Sequence, residues 1–357
     1  MKSTILKINK RIVSQENPTY FIADIAANHD GSLQKAIDLI FMAKEAGADA
    51  AKFQHFKAET IVSKKTFDNM NNKLSHQKKW SKSVFDVYKA ASIKWDWTEK
   101  LVKACKKANI DFFTAPYDFD YIDRINKYVP AYKIGSGDIT WNDALIRIAK
   151  KKKPIFLATG ASSIEDVKRA FKIITKINNK ICIMQCNTNY TGKMENLKFV
   201  NLNVLKQFKK IFPKAILGLS DHTPGHSSVL GAITLGARVI EKHFTYSNKV
   251  DGPDHFFSMN PKSWKEMIER SRELELALGS NKKKVENNEK ETVMVQRRSA
   301  HLLINLKKNE KIKKRYLTFL RPALNGSVKP YELNKVVKYK VKKTKLVGDI
   351  LLWKDLK

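Results

Sequence analysis

The sequence is poor in cysteine. Three in 357 residues are too few for a disulfide framework and suit a reducing compartment. Cys182 and Cys186 stand four apart, with no second pair to close a tetrahedral zinc site. Long apolar runs are missing too: none approaches the ~18 residues that a membrane span requires. The N-terminal stretch turns polar at Lys7, too early for a secretory apolar core. A soluble cytoplasmic protein with no membrane partner is expected. Acidic residues are also scarce, 35 against 68 Lys+Arg, for a net charge of +33. Positions 297–357 hold 18 basic and 4 acidic side chains, so +14 of that excess lies there. No finger, basic zipper or aromatic RNA-binding motif accompanies the charge, and no nucleic-acid partner is expected.

What is present is a regular alternation. Near-continuous apolar runs occupy residues 21–27, 50–56, 111–117, 131–137, 154–160, 181–187, 215–221 and 238–245. Runs of this kind fit strands of a parallel sheet buried on both faces. Between them lie stripes of helical period, such as Leu33-Ala36-Ile37-Ile40-Ala43, which ends at Gly47. Eight strands alternating with helices over roughly 250 residues predict an α/β fold, a (β/α)8 TIM barrel. An open doubly wound sheet is the competitor, but no Gly-x-Gly-x-x-Gly follows the first strand.

Two departures from a minimal barrel are visible. Residues 57–95 form a long insertion after the second strand, rich in Lys, Ser and aromatics, expected to wall or cover a site. Residues 279–296 read as a polar linker. The resulting division is a catalytic barrel over 1–278, the linker over 279–296, and a small, mainly β domain over 297–357. In that domain β-like runs are expected at 300–304, 316–320 and 336–341.

A barrel gathers the C-terminal ends of its strands at one mouth. Those ends carry Asp24, Lys52, Gln54, Thr114, Lys133, Ser136, Asp138, Thr159, Tyr190, His222, Glu241 and His243. Lysines within apolar runs, as at Lys52 and Lys133, are costly to bury without an anionic partner. With Ser136 and Thr159 they compose a cradle for phosphate or carboxylate. His222 and His243 end consecutive strands, close enough for two imidazoles to share one metal ion, with Glu241 on the same strand face as His243.

Several motifs resemble those of the sialic acid (N-acetylneuraminate) synthases. They are FIADIAANHDG at 21–31, GADAAKFQ at 47–54, YKIGSGD at 132–138, GLSDHT at 218–223, EKHFT at 241–245 and GPD at 252–254. The resemblance covers nearly the whole chain, with 297–357 similar to the antifreeze-like (SAF) domain that follows the barrel in that family. It implies a transferase that condenses phosphoenolpyruvate with an N-acylated hexosamine, such as N-acetylmannosamine, to a nine-carbon 2-keto acid. Legionaminic- and pseudaminic-type synthases, which use 2,4-diacetamido hexoses, are the alternative within the family.

The resemblance implies phosphoenolpyruvate contacts at Lys52, Lys133 and Ser136, and Thr114 and Thr159, next to positions where relatives carry hydroxyls, are expected to join them. It implies divalent-metal ligands at His222 and His243, with Mn2+ foremost and Mg2+ or Co2+ as substitutes. Catalytic positions are Asp138, Glu241, Asp24 and Gln54. Sugar contacts are Asp254, Tyr190 and Arg321, the last reaching across a homodimer with swapped small domains. The chain departs from the family pattern where Asp24 and Asp138 replace longer glutamates. It departs again where Ala115 and Ala158 replace hydroxyls, at CNTNY (186–190), and at RPALNG (321–326), one residue longer than usual. A lysine Schiff-base aldolase is the nearest other chemistry. A non-catalytic basic protein that binds RNA or polysaccharide through the +14 tail is the reading from a different class.

Overall fold

The structure is a computed structural model that describes residues 5–70 and 74–357. It divides into two compact units, Met1–Gly279 and Ser280–Lys357.

In the first unit the eight apolar runs are strands: β1 (Tyr20–Asp24), β2 (Ala50–His55), β3 (Asp111–Pro116), β4 (Tyr132–Ile134), β5 (Ile155–Ala158), β6 (Ile181–Cys186), β7 (Ile216–Asp221) and β8 (Ala237–His243). All pairings are parallel, and the ladder runs β3-β2-β1-β8-β7-β6-β5-β4. β3 and β4, at the two ends of this order, lie side by side, so the sheet curls into a nearly closed (β/α)8 barrel.

The helices follow from local signals. Leu33–Glu45 is capped by the Ser32 hydroxyl and buries Ala36, Leu39, Ile40 and Ala43 against the barrel wall. Ile164–Thr175 opens with a capping box of Ser163 and Asp166, and Pro261–Leu278 with one of Asn260 and Ser263. His226 immediately precedes Ser227–Thr234.

A hairpin precedes the first apolar run and lies outside the alternation seen from residue 20 onward. Leu6–Ile8 pairs antiparallel with Arg11–Val13, a unit too short for periodicity to reveal. Its buried Leu6, Ile8 and Val13 join Tyr20, Phe113, Phe156, Cys182, Met184 and Val239 in the core inside the barrel. Arg11 anchors the hairpin through Asp49 at 2.5 Å.

The second unit has its own small core, including Ala300, Leu302, Leu306, Ile312, Val328 and Leu351. Ser299–Leu302 pairs antiparallel with Leu317–Leu320, and further contacts are single bridges. The run expected as a strand at 336–341 is not one. Leu333–Val336 is a helical turn, and only Lys340 and Val341 make isolated bridges. Within the polar stretch 279–296, Lys290–Gln296 is helical, and its Met294 carbonyl accepts a hydrogen bond from Ala323 N at 2.8 Å. That part therefore belongs to the second unit. Among the described residues no helix is long and apolar enough to cross a membrane.

Because Ile8 is fully buried within the barrel interior, Ile8→Ala should cost about 2–5 kcal/mol. A chemical-denaturation midpoint that falls at unchanged slope would show this. An unshifted midpoint would mean that the hairpin is not part of the cooperative core.

Candidate functional site

The C-terminal ends of the strands surround a cavity of about 180 Å³. Strand alternation decides which side chains enter it. On β8, Glu241 and His243 line the cavity, while Lys242 between them does not. Lys242 instead forms a fully buried pair with Asp221, Nζ to Oδ2 2.5 Å, and donates to the Thr223 carbonyl at 2.6 Å. Burial alone would raise the Asp221 carboxyl, but Lys242 outweighs it and holds it below its usual value.

The floor is ionic. Lys52, from β2, sits 2.7 Å from Asp24 Oδ2 at the end of β1 and 3.7 Å from Glu241 Oε1. Lys133, from β4, lies 3.4 Å from the same Glu241 oxygen, and Ser220 Oγ donates to it at 3.3 Å. All four charged side chains are at least 95% buried. Burial pulls the Lys52 ammonium down, but Asp24 and Glu241 more than offset it, so its pKa is raised. The other carboxylate oxygen, Glu241 Oε2, is buried with no hydrogen-bond partner, an arrangement that favours a ligand to complete it.

Beside this floor stand the two imidazoles, their ring centroids 5.3 Å apart. His222 Nδ1 is bonded to the Asn187 carbonyl at 2.8 Å, which leaves Nε2 uncommitted. His243 Nδ1 is buried without a hydrogen bond, while its Nε2 lies 3.5 Å from Asp24 Oδ2. Burial depresses both histidines, His243 further because His222 and Lys52 are near. Neutral rings with free lone pairs are the form in which imidazole binds metal. An orphaned buried nitrogen beside a second imidazole thus fits a divalent ion. No group of three or more His, Cys, Asp or Glu is arranged to hold one among the described residues. Two protein ligands would leave positions open for a substrate.

Asp24, Gln54, Lys52, Lys133, Ser136, Tyr190, His222, Glu241, His243 and Asp254 all line the cavity. Tyr190 packs on His222 with centroids 4.2 Å apart. Ser136 Oγ accepts from Gly160 N at 2.9 Å.

Three of the residues expected from the barrel do not line the cavity. Thr114 points away from the cavity, its hydroxyl 2.7 Å from His55 Nδ1 beneath the helix Trp97–Ala108. The alternation of β3 turns it outward, with Thr114 beside Phe53 and Ala115 beside Gln54 in the ladder. Thr159 donates to the Met184 carbonyl at 2.9 Å and borders a second pocket, lined also by Ser163, Val167, Gln185 and Phe208. Asp138 lies in the turn Ser136–Thr140 and is not among the lining residues. Burial nevertheless raises it to about 6, against a lowering by Lys133. Arg321 is exposed in the second unit.

Ser220, not among the expected site residues, also lines the cavity, two residues before His222 and so on the same face of its strand. The insertion contributes further lining residues that its sequence does not single out. There Ile61, His76, Trp80, Val87, Tyr88 and Ala91 line the cavity. The helical pieces of the insertion, Ala58–Ile61, Lys64–Asp68, Ser75–Lys79 and Val84–Ala91, are too short to show a helical period, so only their aromatic content signalled them.

Comparison with known proteins gives a consistent answer. The family model described as NeuB family matches residues 39–283. The chain is 33% identical to the N,N'-diacetyllegionaminic acid synthase of Legionella pneumophila, over 94% of each chain. It is 31% identical to the human N-acetylneuraminate-9-phosphate synthase, over 77% of this chain and 75% of that one. Among solved structures, the N-acetylneuraminic acid (sialic acid) synthetase of Leptospira borgpetersenii, in complex with citrate, superposes with a TM-score of 0.71 at 25% identity. That match covers 82% of this chain and 95% of the other.

Asp254 yields a test of the electrostatics. Burial, with Asp24 nearby, raises it to about 7, although Ala27 N donates to its Oδ2 at 3.2 Å. A carboxyl raised in the folded state costs stability as pH climbs. The cost is absent below about pH 4, the unfolded value, and complete above about pH 7. Asp254→Asn should leave the unfolding midpoint near wild type at pH 4 and raise it at pH 8. Equal shifts at both pH values would locate the effect in packing rather than in the carboxyl.

Proposed function

The chain belongs to the NeuB family of sialic, legionaminic and pseudaminic acid synthases, and from that premise we propose that it condenses phosphoenolpyruvate with an N-acylated hexosamine. The products are a nine-carbon 2-keto acid and inorganic phosphate. The observation that carries the reading is the floor, where two buried lysines share one glutamate beside an imidazole pair. Lysines removed from water in this way bind a small, multiply charged anion strongly.

Lys52 and Lys133 hold the phosphate and carboxylate of phosphoenolpyruvate, with Ser136 as a further donor. Carbon 3 of the bound enol then forms a bond to the aldehyde carbon of the open-chain sugar. His222 and His243 are the proposed holders of a divalent ion, Mn2+ foremost, and that ion supplies a Lewis acid for the aldehyde oxygen. Asp254, the expected sugar contact, is raised to about 7 and in this reading delivers a proton to that oxygen as it becomes a hydroxyl. Water adds at carbon 2, and Glu241, through its unpartnered Oε2, accepts the proton that the water loses. The tetrahedral centre then breaks its carbon–oxygen bond to phosphate and leaves the 2-keto acid. Asp24 holds Lys52 in position, and Gln54 and Tyr190 face the sugar. Holding the two reactants in register is a large part of the rate. Arg321, in this reading, meets the sugar from a partner subunit of a homodimer.

The reaction is tested by mixing purified protein, phosphoenolpyruvate and candidate N-acyl hexosamines, and following phosphate release and product mass. Lys133→Ala should lower kcat/KM for phosphoenolpyruvate by about 10- to 150-fold, since a charge-assisted contact contributes about 1.5–3 kcal/mol. Unchanged kinetics would remove the lysine from the anion site. Dialysis against a chelator should abolish turnover, and added Mn2+ should restore it. Full activity in metal-depleted protein would take the imidazole pair out of the proposed role.

A further inference from the structure

Tyr117 follows β3 and has no part in the steps above. Its backbone N–H donates to the His55 carbonyl at 3.0 Å, which carries the ladder one residue beyond the strand. Alternation then fixes its direction. Thr114 turns away from the cavity and Ala115 stands beside Gln54, so Tyr117, two residues on, enters where Gln54 does. Its ring packs edge-on against Phe56, with centroids 6.0 Å apart.

The hydroxyl reaches the turn that follows β4, and a glycine in that turn makes room for it. Gly135 has φ −66° and ψ 152°, a conformation open to any residue. No need of the backbone explains a glycine there, but space does. A Cβ at Gly135 would lie 3.1 Å from the Tyr117 hydroxyl oxygen, and 3.5 and 3.7 Å from the ring carbons Cε1 and Cζ. Lys133 stands two residues before this glycine and Ser136 directly after it, and both line the same cavity. Among the described residues the Tyr117 hydroxyl makes no hydrogen bond. Burial, then Asp138 and Asp24, push the phenol well above its usual value, so at neutral pH it is a donor with its proton unspent. An ammonium and a serine hydroxyl leave several oxygens of a phosphate or carboxylate unsatisfied, and a further donor beside them meets that need.

We propose that the Tyr117 hydroxyl, seated against Gly135, donates a hydrogen bond to the anion that Lys133 and Ser136 hold, and so is a further phosphoenolpyruvate-binding residue. This rests on the phosphoenolpyruvate reading above. The hydroxyl that this strand offers to the anion is then that of Tyr117, since that of Thr114 is spent on His55.

The test measures binding of phosphoenolpyruvate to the full chain by titration calorimetry, with inorganic phosphate as a second probe, beside steady-state kinetics. Tyr117→Phe keeps the ring on Phe56 and removes only the oxygen. It should raise the Kd and KM for phosphoenolpyruvate roughly tenfold or more, as loss of a hydrogen bond to a charged acceptor does, and leave the KM for the sugar unchanged. Gly135→Ala retains the hydroxyl but displaces it, and should weaken binding several-fold. In the Tyr117→Phe background the same methyl meets no oxygen and should add little. An unchanged Kd in Tyr117→Phe, or a raised sugar KM in its place, would overturn the proposal. Losses that simply add in the double variant would overturn the seat at Gly135. Binding of either anion without turnover of any sugar would instead overturn the condensation, and the Tyr117→Phe ratio would still decide for or against the hydroxyl. A wild-type chain that bound neither anion would overturn both.

Discussion

Four charges taken out of water together, Lys52, Lys133, Asp24 and Glu241, set the terms for everything around them. A charge buried alone would be ruinous to stability, and removing one partner of such a set leaves the others uncompensated. The barrel tolerates the set because its strands deliver each member from a different direction: Asp24 on β1, Lys52 on β2, Lys133 on β4 and Glu241 on β8. The closed parallel sheet brings all four to one mouth because the strands end there together. Stability and function pull apart here. An apolar mouth of the same volume would fold at least as well, but it would have nothing with which to hold an anion.

The hairpin of residues 6–13 is the counterpart at the other end. A barrel whose interior is filled by Phe113, Phe156 and Met184 still needs a cover for its lower rim, and Leu6, Ile8 and Val13 supply it. The two ends therefore have opposite chemistry. One is apolar and sealed; the other is ionic and open to ligand.

Much of this was legible before any coordinates. Strands buried on both faces announce themselves as continuous apolar runs, and all eight were read. Lysines inside such runs pointed to the floor, and histidines ending consecutive strands pointed to the imidazole pair. What could not be read was which way a residue at a strand end turns. Thr114 and Thr159 stand at the right level of the barrel, but one hydroxyl is spent on His55 and the other on a carbonyl. The insertion was visible only as an aromatic, polar stretch. Its short helices carry too few turns for periodicity, and which of its side chains line the cavity depends on tertiary contacts.

The buried pair of Lys242 and Asp221 lies outside the cavity, yet it carries a consequence for it. Their ladder partnership places them side by side on β8 and β7, and Glu241, His243, Ser220 and His222 flank them on either side in sequence. Sliding one strand past the other by a single residue would strand both charges in hydrocarbon. The pair therefore acts as a ratchet pawl that reinforces the backbone register of the two strands from which the imidazoles project. In a lineage of such sequences, these two outward positions should change in concert or not at all, even though neither ever touches a substrate.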